Sequence, residues 1–259
     1  MSLCHSFITL IPKVRNPEYA TEFRPISLDN VLYRIFSKVF GNKLKNILPQ
    51  LIIEHQSAFM FDRLISNNIL VAFETLHYMR NHNKGKTSFM ALKLDISKAY
   101  DRMKWSFMEK ILVKMCFQDS WVELIMVCIT TTSYSVLING EPYGHRRLRQ
   151  GDLFSPYLFL MCIEGLHGLI NKATTNGDIR GVSICQNGPK LTHLLFADES
   201  LIFCRAKENE CQTLLDIIAK YECASGQQIN RTKTILFFSK STIVDMQTMI
   251  KYMIGVIVV

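Results

Sequence analysis

The sequence predicts an α+β fold in which helices pack on a mainly antiparallel sheet. Three observations carry that expectation. Apolar residues recur at helical spacing in several long stretches, short β-branched and aromatic runs stand between them, and one pair of such runs flanks a tight acidic turn. No repeat, low-complexity tract or Pro/Gly/Ser-rich linker interrupts the chain, so residues 1–259 read as a single domain.

Over residues 27–51 apolar positions recur at helical spacing with basic residues between them, and Pro49 stands near the end, which predicts a basic amphipathic helix. Residues 65–78 also read as a helix, and NHNKGK at residues 81–86 has the composition of a turn. The run SFMALKLDI is strand-like and closes on Asp95, after which KAYDRMKWSFMEKILVKM returns to helical periodicity with Asp101 in position to cap it. SYSVLIN, residues 133–139, predicts a strand, Gly140 a turn, and HRRLRQGD a basic loop in which Asp152 is structural. Beyond Pro156 the run YLFLMCIEGLHGLINKA predicts a helix buried on several sides. LTHLLFADESLIFC sets two apolar runs around an acidic pair, the pattern of a β-hairpin with Ala197, Asp198 and Glu199 at its tip. A last helix, ENECQTLLDIIAKYECAS, stops at Gly226, and TILFFS follows as a strand.

Lys and Arg outnumber Asp and Glu by 30 to 22, and the resulting +8 favours an anionic partner without separating nucleic acid from a membrane surface. Eight cysteines are scattered without a C-x-x-C pair or zinc-like spacing, and are expected as reduced, mostly buried thiols. The first residues lack the pattern of a secretory signal, and no apolar run approaches the roughly 20 residues of a membrane helix. These features predict a soluble intracellular protein, with no membrane and no obligate protein partner visible.

The acids define the candidate chemistry. Pairing the strands that end in Asp95 and flank Asp198 brings three carboxylates together, Glu199 being the third. Such a cluster is repulsive unless cations neutralise it, which two magnesium ions with oxygen ligands would do, and phosphoryl transfer suits that arrangement. Acids at strand ends are also common turn formers and helix caps, and spacing alone leaves both readings open.

Eight segments stand in a fixed order: ITLIPK, FRPISLDNVLYRIFSKVFGNKLK, HQSAF, LISNNILVAFE, LKLDISKAYDRMKW, LRQGDLFSPYLF, LLFADES and CASGQQINRTKT, covering roughly residues 7 to 240. Together they resemble the reverse transcriptase of plant long interspersed elements, which are non-LTR retrotransposons. The resemblance implies a right-hand polymerase core, with residues 1–86 mostly fingers, 87–240 mostly palm, 241–259 a truncated C-terminal tail, and the thumb absent. It implies RNA-directed DNA synthesis, extending a DNA primer on an RNA template from deoxynucleoside triphosphates with two Mg2+ or Mn2+. Asp95, Ile96, Asp198 and Glu199 form the implied metal set.

The same resemblance puts Tyr100 beneath the incoming sugar, where a ring excludes a 2′-hydroxyl; a packed aromatic at a helix start is the other reading. Gln150 and Gly151 match a platform for nucleotide and template. Arg146, Arg147 and Arg149 beside them are candidates for backbone phosphates, or else a solvated basic loop. Lys13 and Arg24 match residues that grip triphosphate, against a reading as ordinary surface charge. Lys233 matches a lysine that donates a proton to pyrophosphate.

Three departures from the family pattern predict impairment. Glu199 stands where a second aspartate is usual, and its extra methylene shifts the carboxylate by about an ångström, a displacement that costs about 100-fold in rate. AFMFDRLI replaces a Pro-Gly turn and QGDLFSP a Pro-Leu pair, changes that raise unfolded-chain entropy and strain the turns. The competing expectation is a nucleic-acid-binding remnant without catalysis. A metal nuclease is disfavoured by the ordered polymerase segments, and a nuclear location rests on family analogy alone.

Overall fold

The computed structural model describes residues 4–19, 22–28, 31–60, 63–82, 87–97, 102–139, 141–146, 154–185 and 188–255. In chain order its elements are β1 (Cys4–Pro12), β2 (Phe23–Leu28), α1 (Val31–Leu51), α2 (Ile65–Asn81), β3 (Phe89–Ser97), α3 (Trp105–Lys114), α4 (Asp119–Thr130), β4 (Thr132–Ile138), β5 (Glu141–Arg146), α5 (Ser155–Asn176), β6 (His193–Phe196), β7 (Glu199–Arg205), α6 (Glu208–Ser225), β8 (Gln228–Ile229), β9 (Ile235–Phe238) and α7 (Val244–Ile254). Residues 1–51 with 100–161 form one compact unit, and residues 52–99 with 162–259 a second. Among the described residues no helix is long and apolar enough to cross a membrane.

In the first unit the sheet runs β2-β1-β4-β5. β1 is antiparallel to β2, with Phe7 opposite Leu28, and parallel to β4, with Cys4 opposite Thr132. The helix expected from residue 27 therefore begins at Val31, because Ser27 and Leu28 pair with Ile8 and Phe7. Pro25 supports the extended path by biasing its predecessor away from helical dihedrals. α1 buries Tyr33, Ser37, Phe40, Gly41, Leu44 and Leu48, a single stripe at three- and four-residue spacing. Phe40 meets Trp121 edge-on at 5.7 Å and Phe154 at 5.8 Å, while the Lys43 ammonium lies 5.4 Å from the Trp121 ring centre.

Two expectations are corrected in this unit. α3 starts at Trp105 with Lys104 at its cap, so Asp101, itself outside the described residues, is not the N-cap. The basic segment is partly strand, because β5 extends to Arg146 with Arg146 opposite Tyr134, and the backbone pairing takes it out of the loop.

The second unit is built around β3. β7 pairs along one side of it, β8 and β9 along the other, and β6 pairs with β7, all antiparallel. A central strand covered on both faces needs apolar residues at consecutive positions, and Met90, Ala91, Leu92, Leu94 and Ile96 are all buried. Met79, Phe89, Ala91, Val182, Leu194 and Phe203 form one core cluster, against which Leu76 and Tyr78 of α2 pack. α6 ends as expected at Gly226, whose φ of 79° is the left-handed conformation that suits glycine. α5 is buried continuously over residues 158–163, in line with its wide apolar surface.

The thiols are less buried than expected. Cys162, Cys204 and Cys211 are buried, whereas Cys116, Cys185 and Cys223 are exposed on helix ends and loops. In the same unit Phe59 adopts φ 56°, a left-handed conformation unfavourable for a bulky side chain. Its ring is half exposed, so little burial is lost on truncation. Phe59→Gly is expected to stabilise the chain by about 1 kcal/mol, read as a higher urea midpoint. An unchanged or lower midpoint would show that the turn is not strained.

Candidate active site

The β3–β7 register sets Asp95 directly opposite Glu199, and the two-residue turn Ala197–Asp198 closes the β6–β7 hairpin beside them. Glu199, placed at the tip by sequence, is the first residue of β7 and pairs with Phe196. The turn is tied to β3 because the Ile96 N–H donates to the Asp198 carbonyl at 2.9 Å. On the other side the Asn230 N–H donates to the Asp95 carbonyl at 2.8 Å, next to the Ile96–Ile229 pairing of β3 with β8. Asp95 and Ile96 are thus held from both flanks, with the Ile96 side chain buried beneath.

Two lysines meet the acids. After β8, a turn in which the Lys233 N–H donates to the Asn230 carbonyl brings Lys233 Nζ to 3.3 Å from Asp95 Oδ2. Lys93 precedes Asp95 by two residues, so strand alternation puts both on one face, and its Nζ lies 2.9 Å from Glu199 Oε1. Among the described residues Asp198 has no ion-pair partner. Burial lifts its carboxyl above the ordinary range, and the charges of Asp95 and Glu199 add to the effect, while its own backbone N–H and Lys233 oppose it. An added cation would relieve that repulsion.

Among the described residues no three His, Cys, Asp or Glu side chains gather closely enough to hold a metal ion by themselves. The Glu199 carboxylate is engaged by Lys93. A magnesium site does not require a complete protein cage, because one or two carboxylates with substrate phosphates suffice, and Asp95 and Asp198 fit that chemistry. Ile96 can offer only its backbone carbonyl.

The remaining sequence candidates belong to the first unit or lie outside the described residues. Lys13 follows β1 directly, and Arg24 lies in β2 opposite Ile11, so the β1–β2 pairing brings both exposed cations to one end of that strand pair in the first unit. Arg146 is placed by its backbone in β5. Tyr100, Arg147, Arg149, Gln150 and Gly151 lie outside the described residues.

Sequence reasoning missed Lys93, although its two-residue offset from Asp95 on a strand was a usable signal. It also missed the polar packing at the foot of the hairpin. His193, the buried first residue of β6, has Nε2 2.8 Å from His167 Nδ1 and Nδ1 2.9 Å from the Thr192 hydroxyl, with the His55 ring edge-on at 6.1 Å. Burial, then His167 and His55, push its imidazole down to about 3. Glu164 on α5 accepts the Ile53 N–H at 3.2 Å, and burial raises its carboxyl to about 7 despite that bond and Arg63.

These two groups act on stability with opposite sign. The unfolded chain protonates His193 below its ordinary 6.5 while the folded chain does not, so His193 removes stability as pH falls. The folded chain keeps the Glu164 proton up to about 7 whereas the unfolded chain releases it above 4.5, so Glu164 adds stability as pH falls through that window. Glu164→Gln is therefore expected to lose, relative to the parent, about 1.4 kcal/mol per unit of acidification between pH 6.5 and 5. Urea unfolding across that range tests it, and parallel profiles would contradict it.

The chain is similar to several known proteins. The profile of the family described as Reverse transcriptase (RNA-dependent DNA polymerase) matches residues 11–256. The chain is 47% identical over 68 residues to an uncharacterized mitochondrial protein of Arabidopsis thaliana, covering 25% of this chain and 56% of that one. It is 25% identical over 255 residues to the transposon TX1 uncharacterized 149 kDa protein of Xenopus laevis, covering 95% of this chain and 18% of that protein. It is 23% identical over 234 residues to the retrovirus-related Pol polyprotein from type-1 retrotransposable element R2 of Popillia japonica, covering 88% and 31%. The chain thus spans little more than half of the first of these relatives and under a third of the other two. Among solved structures, telomerase from Candida albicans in complex with a fragment of telomeric RNA aligns with a TM-score of 0.62 at 16% identity, covering 94% of this chain and 43% of that one, a likeness of fold.

Proposed function

The chain belongs to the reverse transcriptase (RNA-dependent DNA polymerase) family, of the non-LTR retrotransposon type, and from that premise we propose that it is an RNA-directed DNA polymerase core with impaired chemistry. The observation that carries the reading is the carboxylate end of the β3–β7 pair, where Asp95, Asp198 and Lys233 converge. In this reading about residues 1–86 serve as fingers, about 87–240 as palm and 241–259 as the C-terminal tail. The plant origin is supported by the ordered motifs and by the Arabidopsis relative. A nuclear location follows from family analogy.

Asp95 and Asp198, with the Ile96 carbonyl and, less well placed, Glu199, are the residues to hold two Mg2+ or Mn2+. When bound, such ions neutralise triphosphate charge and favour ionisation of the primer hydroxyl. Lys233, mostly exposed and within reach of Asp95, supplies a proton to the departing pyrophosphate. Lys13 and Arg24 bind the triphosphate, Tyr100 excludes a 2′-hydroxyl, Gln150 and Gly151 support nucleotide and template, and Arg146, Arg147 and Arg149 bind backbone phosphates.

Primer extension on an RNA template with magnesium or manganese tests the reading, and incorporation that stops on chelation is the expected result. The second reading is a binding remnant without catalysis, favoured by one observation: Glu199 is held by Lys93. Salt-sensitive RNA binding by a folded chain that makes no product with either metal would select it.

A further inference from the structure

We propose that Gln56 is a positioning residue for the Asp198 turn, its buried side-chain carbonyl holding the backbone N–H of Ala197. The inference rests on the polymerase reading for its consequence, but the contact itself stands on geometry. Ala197 has φ 49°, a left-handed conformation that a non-glycine residue keeps only where its surroundings impose it. Its N–H lies 3.4 Å from Gln56 Oε1, which also accepts the Ala58 N–H at 3.0 Å. Two N–H groups on one oxygen define which end of the amide faces the turn.

The segment that carries Gln56 is fastened to β6. Gln56 forms a parallel bridge with Leu195, and the Leu195 N–H donates to the His55 carbonyl at 3.1 Å. Asn68 Nδ2 donates to both the His55 and Leu195 carbonyls, at 2.8 and 3.3 Å, and so pins the two chains together. The Arg63 guanidinium gathers the carbonyls of Ile52, Ile53 and Gln56. Residues 52–58 are therefore a polar strap laid against the last residues before the turn.

Gln56 is a poor choice for packing alone. It is fully buried, and its Nε2 has no hydrogen-bond partner among the described residues, a cost that an apolar side chain of similar length would avoid. What such a side chain would lack is the acceptor for Ala197. Because Asp198 is the next residue, and its carbonyl takes the Ile96 N–H, a turn released at Ala197 misplaces the carboxylate with respect to Asp95.

Hydrogen exchange read by mass spectrometry on the whole chain tests this without requiring catalysis. Gln56→Met should exchange about tenfold faster over residues 196–200, with α7 unchanged, and Gln56→Glu, which keeps an acceptor oxygen, should return the turn toward parental protection. Parental exchange at the turn in Gln56→Met, or equal acceleration in α7, overturns the proposal. Should Gln56→Met not fold, Asn68→Ala, which cuts the strap from β6 at a partly exposed side chain, must accelerate the same residues. In primer extension Gln56→Met should lower kcat and raise the Mn2+ requirement while leaving RNA affinity as it was. A parent chain that makes no product removes the polymerase reading, and the exchange experiment still decides the strap.

Discussion

Asp95→Asn is expected to cut single-turnover nucleotide addition about 1,000-fold, equivalent to about 4 kcal/mol of transition-state stabilisation. The substitution keeps the size of the side chain and removes its charge. It leaves Lys233, now 3.3 Å from a neutral amide oxygen or nitrogen, as an uncompensated cation in the place where a metal should sit. The backbone of residue 95 is held by the Asn230 N–H and by pairing with Glu199, so the strand should keep its place and the loss should lie in the chemistry. Asp198→Asn is expected to behave alike, with one difference. Its carboxyl is already raised by burial and by Asp95 and Glu199, so its removal relieves repulsion and should raise stability while abolishing synthesis. Asp245→Asn, on the exposed first turn of α7, serves as the control. RNA affinity measured alongside should stay constant, and parental rates in Asp95→Asn would show that this carboxylate does not carry the reaction.

The hairpin that bears Asp198 was legible because its apolar runs are short, alternate around an acidic turn, and pair with their immediate neighbours in sequence. The end of α6 was legible for a similarly local reason, a glycine whose φ is positive. β1 was not, since one of its partners, β4, lies more than a hundred residues along the chain and parallel pairing leaves no local signature. β2 was hidden for a more local reason: Ser27 and Leu28 pair with the nearby β1, but a local window assigns them to the following helix. α4 was missed as well: Val122, Ile125 and Ile129 make a buried stripe at helical spacing, but Leu124, Met126 and Val127 beside them are apolar too and blur it.

The site divides along the same line. Asp95, Asp198 and Glu199 stood out as acids on apolar strands, and their meeting follows from pairing two strands. That Lys233 reaches Asp95 depends on the turn after β8, 138 residues distant, and only the family resemblance pointed to it. The Gln56 contact is less visible still. Nothing in HQSAF announces a side chain that folds under a turn about 140 residues away.

Glu199→Asp is expected to raise the rate of nucleotide addition by about 10- to 100-fold. Glu199 faces Asp95 across the sheet, but its additional methylene lets Oε1 reach Lys93 at 2.9 Å, and a carboxylate engaged there is poorly placed to share a cation with Asp95 and Asp198. Shortening the side chain withdraws it from Lys93 by about an ångström, on the scale at which misplaced ligands cost two orders of magnitude. Lys93→Met is the second arm, since it frees Glu199 without shortening it and should recover part of the gain. Both side chains are well exposed, so losing the pair should cost less than about 1 kcal/mol of stability, and a rate change would not be a folding effect. If Lys93 is what holds Glu199 away, the double variant Lys93→Met/Glu199→Asp should gain less than the product of the single gains, because both substitutions relieve the same contact. Independent gains would mean that Lys93 acts on the site by its charge alone. No gain in any of the three would place Glu199 outside the reaction, and no synthesis by the parent or by any of them, from chains that fold and bind RNA, would leave the binding remnant as the account of this chain.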